Sequence, residues 1–135
     1  MDIQNFPTHI AYYKNLHLLS SFNGLIHRFR GQSIVYGIRC RITNMIYIGS
    51  TTNPIKRFNK HLVTGEKSND RLQNAINKHG LEWFTVYVFE SFKFDPKQSR
   101  DQRVLDLRKV EQKYIDMFPK STLYNYINSV SETNS

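Results

Sequence analysis

Arg57 and His61 are the first pair of side chains in this chain whose types and spacing suit chemistry on a phosphate ester. They stand four residues apart in a stretch with helical periodicity, so both project from one side of the helix. Arg57 is always charged, and its fork of donors matches phosphate oxygens, although a solvated surface arginine would have the same position. His61 could act as a general acid or base near neutral pH, contact a phosphate, or take no part.

Glu111 is the acid whose position best suits a divalent cation. It follows Leu107 by four residues and precedes Tyr114 by three, so it lies beside the apolar stripe of a long helix. A carboxylate at the border of a core is costly unless it is paired or bound to a metal. Mg²⁺ keeps several waters and requires only one or two protein carboxylates. The alternative is a helix acid in a salt bridge with Arg108 or Lys109.

A hairpin and a helix must position the first pair. The run Ile34–Ile38 predicts one strand and Met45–Gly49 a second, with a tight turn over residues 42–44. Pro54 fits the first turn of the following helix. We expect Thr52 or Asn53 to cap this helix and the residues at helical spacing to form its apolar stripe, namely Ile55, Phe58 and Leu62.

The second half of the chain predicts two more helices and a central strand. A helix begins at Asn69 or Asp70 and ends at Gly80. The strand over residues 82–92 is apolar on both faces, which indicates a central strand covered by helices. A long helix over residues 98–118 follows and stops at Pro119. The predicted fold is therefore α/β (α+β), with a small three-stranded, mainly antiparallel sheet flanked by three helices.

The hairpin carries two tripeptides that together resemble the signature of the GIY-YIG nuclease family. The second half of that signature is Tyr47-Ile48-Gly49, and the first half stands here as Ile34-Val35-Tyr36, with two of its three letters changed. The spacing of the halves, the later Arg57 and His61, and Glu111 fit the family layout. The resemblance covers residues 33–128, so we divide the chain into an N-terminal extension (1–32), a nuclease-like domain (33–128) and a polar tail (129–135).

The resemblance implies a role for each of these side chains in cutting DNA. Arg57 would hold the scissile phosphate, and Glu111 would bind one Mg²⁺ or Mn²⁺. Tyr36 would be a base, or a relay to a base, for the attacking water, and Tyr47 its partner near the phosphate; without the family, both tyrosines would be packing residues. A tyrosine base requires its pKa of roughly 10 to be lowered by a cation such as Arg57 or the metal.

Further residues are predicted contacts to DNA. Gly49 allows close approach of the backbone, and Asn125, in a Tyr-Asn pair that the family shares, would order the site through hydrogen bonds. The remaining predicted contacts are cations, Lys56, Lys60 and Lys67. Some relatives carry a histidine in the loop before the second helix, where this chain has Lys67-Ser68-Asn69.

Charge and composition agree with a polyanionic partner. The formal net charge is +8, and residues 33–80 hold eight bases against two acids. Neutralising phosphates supplies affinity that does not depend on sequence, although a merely soluble basic surface would look the same. No apolar run is long enough to span a membrane. Cys40 is the only cysteine, which excludes an intrachain disulfide and a Cys-rich zinc site.

The predicted activity is a Mg²⁺-dependent DNA endonuclease of the homing type. Residues with AT-rich codons are abundant, which favours a mitochondrial, phage or large viral genome. Two alternatives share the resemblance: a nucleic-acid-binding remnant without catalysis, and an excision-repair type of nuclease directed by a partner. The fourth interpretation, after the homing endonuclease and these two alternatives, is a structural protein that does not bind nucleic acid. Residues 1–32 read as a flexible or loosely packed extension, or as a second contact with DNA or a partner.

Overall fold

The computed structural model of this chain describes residues 6–66 and 68–126. Lys67 and the polar tail predicted over 129–135 lie outside the described residues. The elements in chain order are β1 (Ala11–Tyr13), α1 (Leu19–Arg28), β2 (Gln32–Cys40), β3 (Ile46–Thr51), α2 (Pro54–Asn59), a π turn (Lys60–Thr64), α3 (Asp70–His79), β4 (Phe84–Lys93) and α4 (Arg100–Ile115). Short 3₁₀ turns (Leu81–Trp83 and Lys120–Thr122) precede β4 and follow α4.

The described strands form one antiparallel sheet in the order β1-β4-β2-β3. The predicted fold class is confirmed, but the strand count of three and the helix count of three are wrong, because residues 6–32 contribute β1 and α1. The interpretation of this segment as loosely packed is also wrong for residues 6–32. β1 pairs with β4, and Leu16, Leu25 and Phe29 are buried in the core.

Helices cover both faces of the sheet. Helices α1, α2 and α3 pack on the face to which Tyr36 and Ile38 point, whereas α4 packs on the face of Val35 and Ile48. β4 lies between β1 and β2, as its two apolar faces predicted. Trp83 is the exception, because it lies in the 3₁₀ turn and is 45% exposed. In the described part of the chain, no helix is both long enough and apolar enough to cross a membrane.

Local signals set the ends of the elements that carry the candidate site. Asn44 takes the left-handed conformation in the β2–β3 turn, with φ of 63°. The Asn53 side chain caps α2 by accepting from Lys56 N–H, and Asn69 caps α3 by accepting from Leu72 N–H. Ile55, predicted to face the core, is 36% exposed. α4 is shorter than the predicted 98–118, since its first and last turns lie outside regular helix.

Candidate active site

Tyr36 and His61 form the centre of the candidate site. Tyr36 lies in the middle of β2, opposite Gly49 of β3, and its side chain points toward α2. Its ring packs against Phe58, with ring centroids 4.8 Å apart. The Tyr36 hydroxyl lies 2.8 Å from His61 Nε2, and both side chains are buried. The structure therefore joins a strand residue and a helix residue that are 25 positions apart.

The π turn that continues α2 carries His61 into the core. Gly65 N–H bonds to Lys60 O at 2.8 Å, which is the i→i+5 bond of a π helix. His61 is 2% exposed, whereas Arg57, four residues earlier on regular helix, is half-buried. The expectation that the two side chains share one surface of a continuous helix is therefore corrected. Arg57 retains access to solvent, and His61 contacts protein groups.

Ser68 and Gln73 hold the other side of the imidazole. His61 Nδ1 lies 2.7 Å from Ser68 Oγ, and Gln73 Nε2 donates to the same oxygen at 2.8 Å and to His61 O at 2.9 Å. Hydrogen bonds thus connect Gln73, through Ser68 and His61, to Tyr36. Neither Ser68 nor Gln73 was predicted from the sequence as a site residue; the only signal was the position of Ser68 in the loop where some relatives carry a histidine.

Burial controls the protonation of this pair. It lowers the pKa of His61 to about 3, and the positive charges of Arg57 and Lys60 act in the same direction. Burial also raises the pKa of Tyr36 well above its usual value, with Tyr47 adding to the effect and Arg57 opposing it. The predicted lowering by Arg57 is therefore outweighed by burial. Near neutral pH, His61 is neutral and Tyr36 keeps its proton.

Tyr47 and Gly49 of β3 complete the wall around Tyr36. The Tyr47 ring centroid lies 5.2 Å from that of His61 and 6.5 Å from that of Tyr36. A Cβ on Gly49 would lie 2.6 Å from Tyr36 Oη and 3.0 Å from a Tyr47 ring carbon. The space that glycine leaves is therefore occupied by the Tyr36 hydroxyl, which any side chain at this position would displace.

Glu111 approaches from the opposite face of the sheet. It lies on α4, half-buried, and accepts hydrogen bonds from the Ser50 hydroxyl and the Ser50 backbone N–H. Burial raises its pKa, and these two bonds together with Arg108 and Arg57 partly offset that rise. The ion pair that the described residues hold at close range is Lys113–Glu90, at 3.1 Å. The described residues thus give Glu111 a serine partner and not the close salt bridge with Arg108 or Lys109 that was the alternative to metal binding.

The edge of the sheet brings these groups together. β3 is the edge strand, so Glu111 on one face and the tyrosines on the other meet around its Gly49-Ser50 segment. Glu111 influences the pKa of Tyr36, and Arg57 influences the pKa values of both. Tyr36, Arg57 and Glu111, which come from three separate elements, therefore share one electrostatic environment.

Asn125 fastens the same edge strand. Its Oδ1 accepts from Ile48 N–H at 2.9 Å, and its Nδ2 donates to Ile48 O at 2.8 Å. Tyr124 N–H also bonds to Ile46 O at 2.9 Å. The segment after α4 thus runs beside β3 and is joined to it by one isolated bridge, between Ile46 and Leu123. Asn125 orders the backbone between Tyr47 and Gly49, while its contact with DNA stays a prediction.

Of the other predicted DNA contacts, Lys56 is exposed and Lys60 is half-buried, and Lys67 lies outside the described residues.

Among the described residues there is no group of three or more His, Cys, Asp or Glu side chains that could hold a metal ion. A single carboxylate is enough for Mg²⁺, which keeps most of its waters. The desolvated carboxylate of Glu111, with its raised pKa, fits such an ion, because a bound cation would relieve the cost of burying its charge.

Comparisons with known proteins show which family, protein and solved structure the chain is similar to. The GIY-YIG catalytic domain family matches residues 32–125. Probable intron-encoded endonuclease 1 of Neurospora crassa is 31% identical over 120 residues, which are 89% of this chain and 38% of that protein. The catalytic domain of the intron endonuclease I-TevI has the same fold, with a TM-score of 0.54 and 24% identity over 73% of this chain and 97% of that domain.

The chain thus spans less than two fifths of the length of the Neurospora relative. The family match, by contrast, extends from β2 through α4 to Asn125 and includes every described residue of the candidate site. On this match, the chain belongs to the GIY-YIG catalytic domain family.

Proposed function

We propose that this chain is the catalytic part of a metal-dependent DNA endonuclease of the homing type. The observation that carries the proposal is the meeting of Tyr36, Arg57 and Glu111 around the edge strand β3. Family membership supports nuclease chemistry, and the similarity to the intron-encoded endonuclease of Neurospora crassa supports an intron-encoded endonuclease. That similarity and the AT-rich residue usage also support an origin in a mitochondrial or phage genome.

The roles follow from the environment of each group. Arg57 is the half-buried guanidinium beside the edge strand, so it would bind two oxygens of the scissile phosphate. Glu111 would hold one Mg²⁺ or Mn²⁺, which when bound supplies positive charge to the phosphate and the leaving oxygen. Ser50 orients the carboxylate through its two hydrogen bonds. We assign no further carboxylate to the ion.

Tyr36 would order the attacking water. Because the tyrosine keeps its proton and His61 is neutral, the Tyr36 hydroxyl donates to His61 Nε2 and leaves its lone pairs to accept from water. As the water attacks phosphorus and the bond from phosphorus to the leaving oxygen breaks, the proton of the water would pass to Tyr36 Oη and the tyrosine proton to His61 Nε2. The imidazolium, with a pKa of about 3, then gives up its proton, and the leaving oxygen takes one from solvent. Ser68 then accepts the hydrogen bond of His61 Nδ1–H throughout.

A plasmid-nicking assay tests the proposal. We expect the full chain to nick supercoiled DNA with Mg²⁺ or Mn²⁺ and to lose this activity with EDTA. Glu111→Ala and Arg57→Ala should each abolish nicking while circular dichroism shows an intact fold. Glu66→Ala and Lys78→Ala, which remove exposed charges of the same signs, are the matched controls and should cut normally.

The altered first tripeptide, Ile34-Val35-Tyr36, favours one rival, a DNA-binding remnant that has lost catalysis. Retention of DNA both with and without Mg²⁺, with no nicking when Mg²⁺ is present, would support that rival and end the nuclease proposal. Cutting that requires damaged DNA and a partner protein would instead indicate the excision-repair type.

A further inference from the structure

A basic cleft lies beside the candidate active site. It has a volume of about 570 Å³ and opens between the start of β2, the turn before α2 and the first turn of α4. Three of its lining residues are cations, three others have side chains that can form hydrogen bonds, and a glycine exposes its backbone to the cleft. The lining residues are Gly31, Ser33, Thr52, Asn53, Lys56, Phe94, Arg100 and Arg103.

The three cations of the cleft are available to an anion. Lys56 and Arg100 are exposed and Arg103 is half-buried. None of them has a carboxylate at ion-pair distance among the described residues, where the close pair is Lys113–Glu90. Three positive charges gathered around a concave surface repel one another, and a bound anion would relieve that repulsion.

Arg103 is also held in a fixed position. Its Nη1 donates to Gln98 O at 3.3 Å, and its guanidinium lies 4.6 Å from the centre of the Phe94 ring. Phe94 is 61% exposed, so one part of the ring fixes the arginine while the rest faces the cleft. An ordered cation beside an exposed aromatic ring suits the alternating phosphates and sugars of a nucleic-acid strand.

Two residues that line the cleft are close neighbours in the chain of residues of the candidate active site. Lys56 precedes Arg57 on α2, and Thr52 follows by two residues the Ser50 that bonds Glu111. Successive phosphates of one strand are separated by about 3.4 Å along the helix axis. A strand with one phosphate at Arg57 would place a neighbouring phosphate near Lys56, the preceding residue on α2, which lines the cleft together with Arg100 and Arg103.

We infer that this cleft binds the sugar–phosphate backbone of the DNA strand next to the scissile phosphate, through Lys56, Arg100 and Arg103. The inference deepens the proposed function and rests on it for the choice of DNA. It adds Arg100 and Arg103, which the sequence analysis did not select, and it gives Phe94 the task of positioning Arg103. The contact would position DNA without reading its sequence.

Fluorescence anisotropy with a short labelled duplex in EDTA tests the inference without cleavage. We compare Lys56→Ala/Arg100→Ala with Lys78→Ala/Lys120→Ala, which removes two exposed charges outside the cleft. Loss of two phosphate contacts should reduce the slope of log K against log salt by about two and weaken binding on the order of 10-fold at moderate salt. The control should keep the wild-type slope, and Arg100→Lys, which keeps its charge, should too.

An unchanged slope in the cleft variant, or an equal fall in the control, would overturn the inference. Thermal unfolding of each variant separates loss of fold from loss of contact. The outcome is distinct from that of the nicking assay. If the wild-type chain binds DNA but never cuts it, the proposed catalysis fails while the slopes still decide the role of the cleft.

Discussion

The Tyr36 hydroxyl and His61 Nε2 lie 2.8 Å apart in the core, and no water separates two groups at this distance. Burial raises the pKa of Tyr36 and lowers that of His61, so the proton rests on the tyrosine and the imidazole accepts. In the protein without DNA, the two side chains are therefore both neutral and are joined by a hydrogen bond. Its oxygen is oriented by β2 and its nitrogen by the π turn.

Tyr36→Phe removes this oxygen and leaves the ring in place. We expect nicking to fall by about 100-fold or more, as for loss of a general acid–base group. The free energy of unfolding should fall by about 1–3 kcal/mol, because His61 Nε2 would be buried without a partner. Nicking rates and urea denaturation measure the two effects.

Tyr12→Phe, at an exposed position on β1, is the matched control for the loss of a phenol. It should change neither nicking nor stability. Wild-type nicking by Tyr36→Phe would exclude any role for the hydroxyl in handling the water, whatever its effect on stability.

Stability should depend on pH through His61. The pKa of His61 is about 3 in the fold and roughly 6.5 in the unfolded chain, so the unfolded state binds the additional proton. The stability from the neutral imidazole is fully present above pH 6.5 and is lost as the pH falls toward 3. Between pH 7 and pH 5 this loss is about 2 kcal/mol.

Comparison with His61→Gln isolates the contribution of His61. The raised pKa of Glu111 increases stability as the pH falls, and it does so in the wild type and in the variant alike. Urea denaturation at pH 7 and pH 5 should show the wild type losing about 2 kcal/mol more than His61→Gln. His17→Gln, at an exposed position, should keep the wild-type difference. Equal losses in wild type and His61→Gln would mean that folding does not lower the pKa of His61.

The hairpin, the caps and the central strand could be predicted from the sequence because local chemistry determines them. Asn53 and Asn69 are caps by their side-chain oxygens, and β4 is central because both of its faces are apolar. The identities of Tyr36, Arg57 and Glu111 as candidates followed from the family resemblance. Helical spacing alone left each of them with an ordinary structural alternative.

The remaining features depend on contacts between distant segments. β1 has three residues, and its pairing with β4 gives no signal of its own in the sequence. The burial of His61 depends on the π turn, which helical periodicity does not represent. Ser68 and Gln73 reach the imidazole only after α3 has packed beside that turn. Arg100 and Arg103 become candidates for DNA contact only because the fold places the first turn of α4 in the same cleft as Lys56 of α2.

Gly49→Ala should disrupt the centre of the site. The new Cβ would lie 2.6 Å from Tyr36 Oη, closer than side chains tolerate, so Tyr36 must move away from His61. We expect loss of nicking and a fall of about 1–3 kcal/mol in the free energy of unfolding. Gly24→Ala is the matched control, because its Cβ would meet only Tyr13 at 3.7 Å.

The two glycine substitutions should change the free energy of unfolding in opposite directions. Gly24 lies within α1, where alanine favours the helix by about 0.5–1 kcal/mol, so Gly24→Ala should be slightly more stable than wild type and should cut normally. Urea denaturation and nicking rates compare the pair. If Gly49→Ala is as stable and active as wild type, the position of the Tyr36 hydroxyl over Gly49 is incorrect.

Asn125→Ala should loosen the edge strand at Ile48. Both backbone groups of Ile48 that Asn125 engages would lose their partner, with an expected cost of about 1–3 kcal/mol in the free energy of unfolding. Nicking should fall because Ile48 lies between Tyr47 and Gly49. Asn125→Asp should not restore either property, since a carboxylate can accept from Ile48 N–H but cannot donate to Ile48 O.

The affinity for DNA distinguishes this ordering role from the predicted contact of Asn125 with DNA. If Asn125 acts through β3, Asn125→Ala should bind DNA as tightly as the wild type while its rate of nicking at saturating DNA falls. Amide exchange at Ile48 should become faster as its hydrogen bond is lost. Normal exchange and stability, together with weaker DNA binding, would assign Asn125 to the DNA surface, because a residue that only contacts DNA leaves the free protein unchanged.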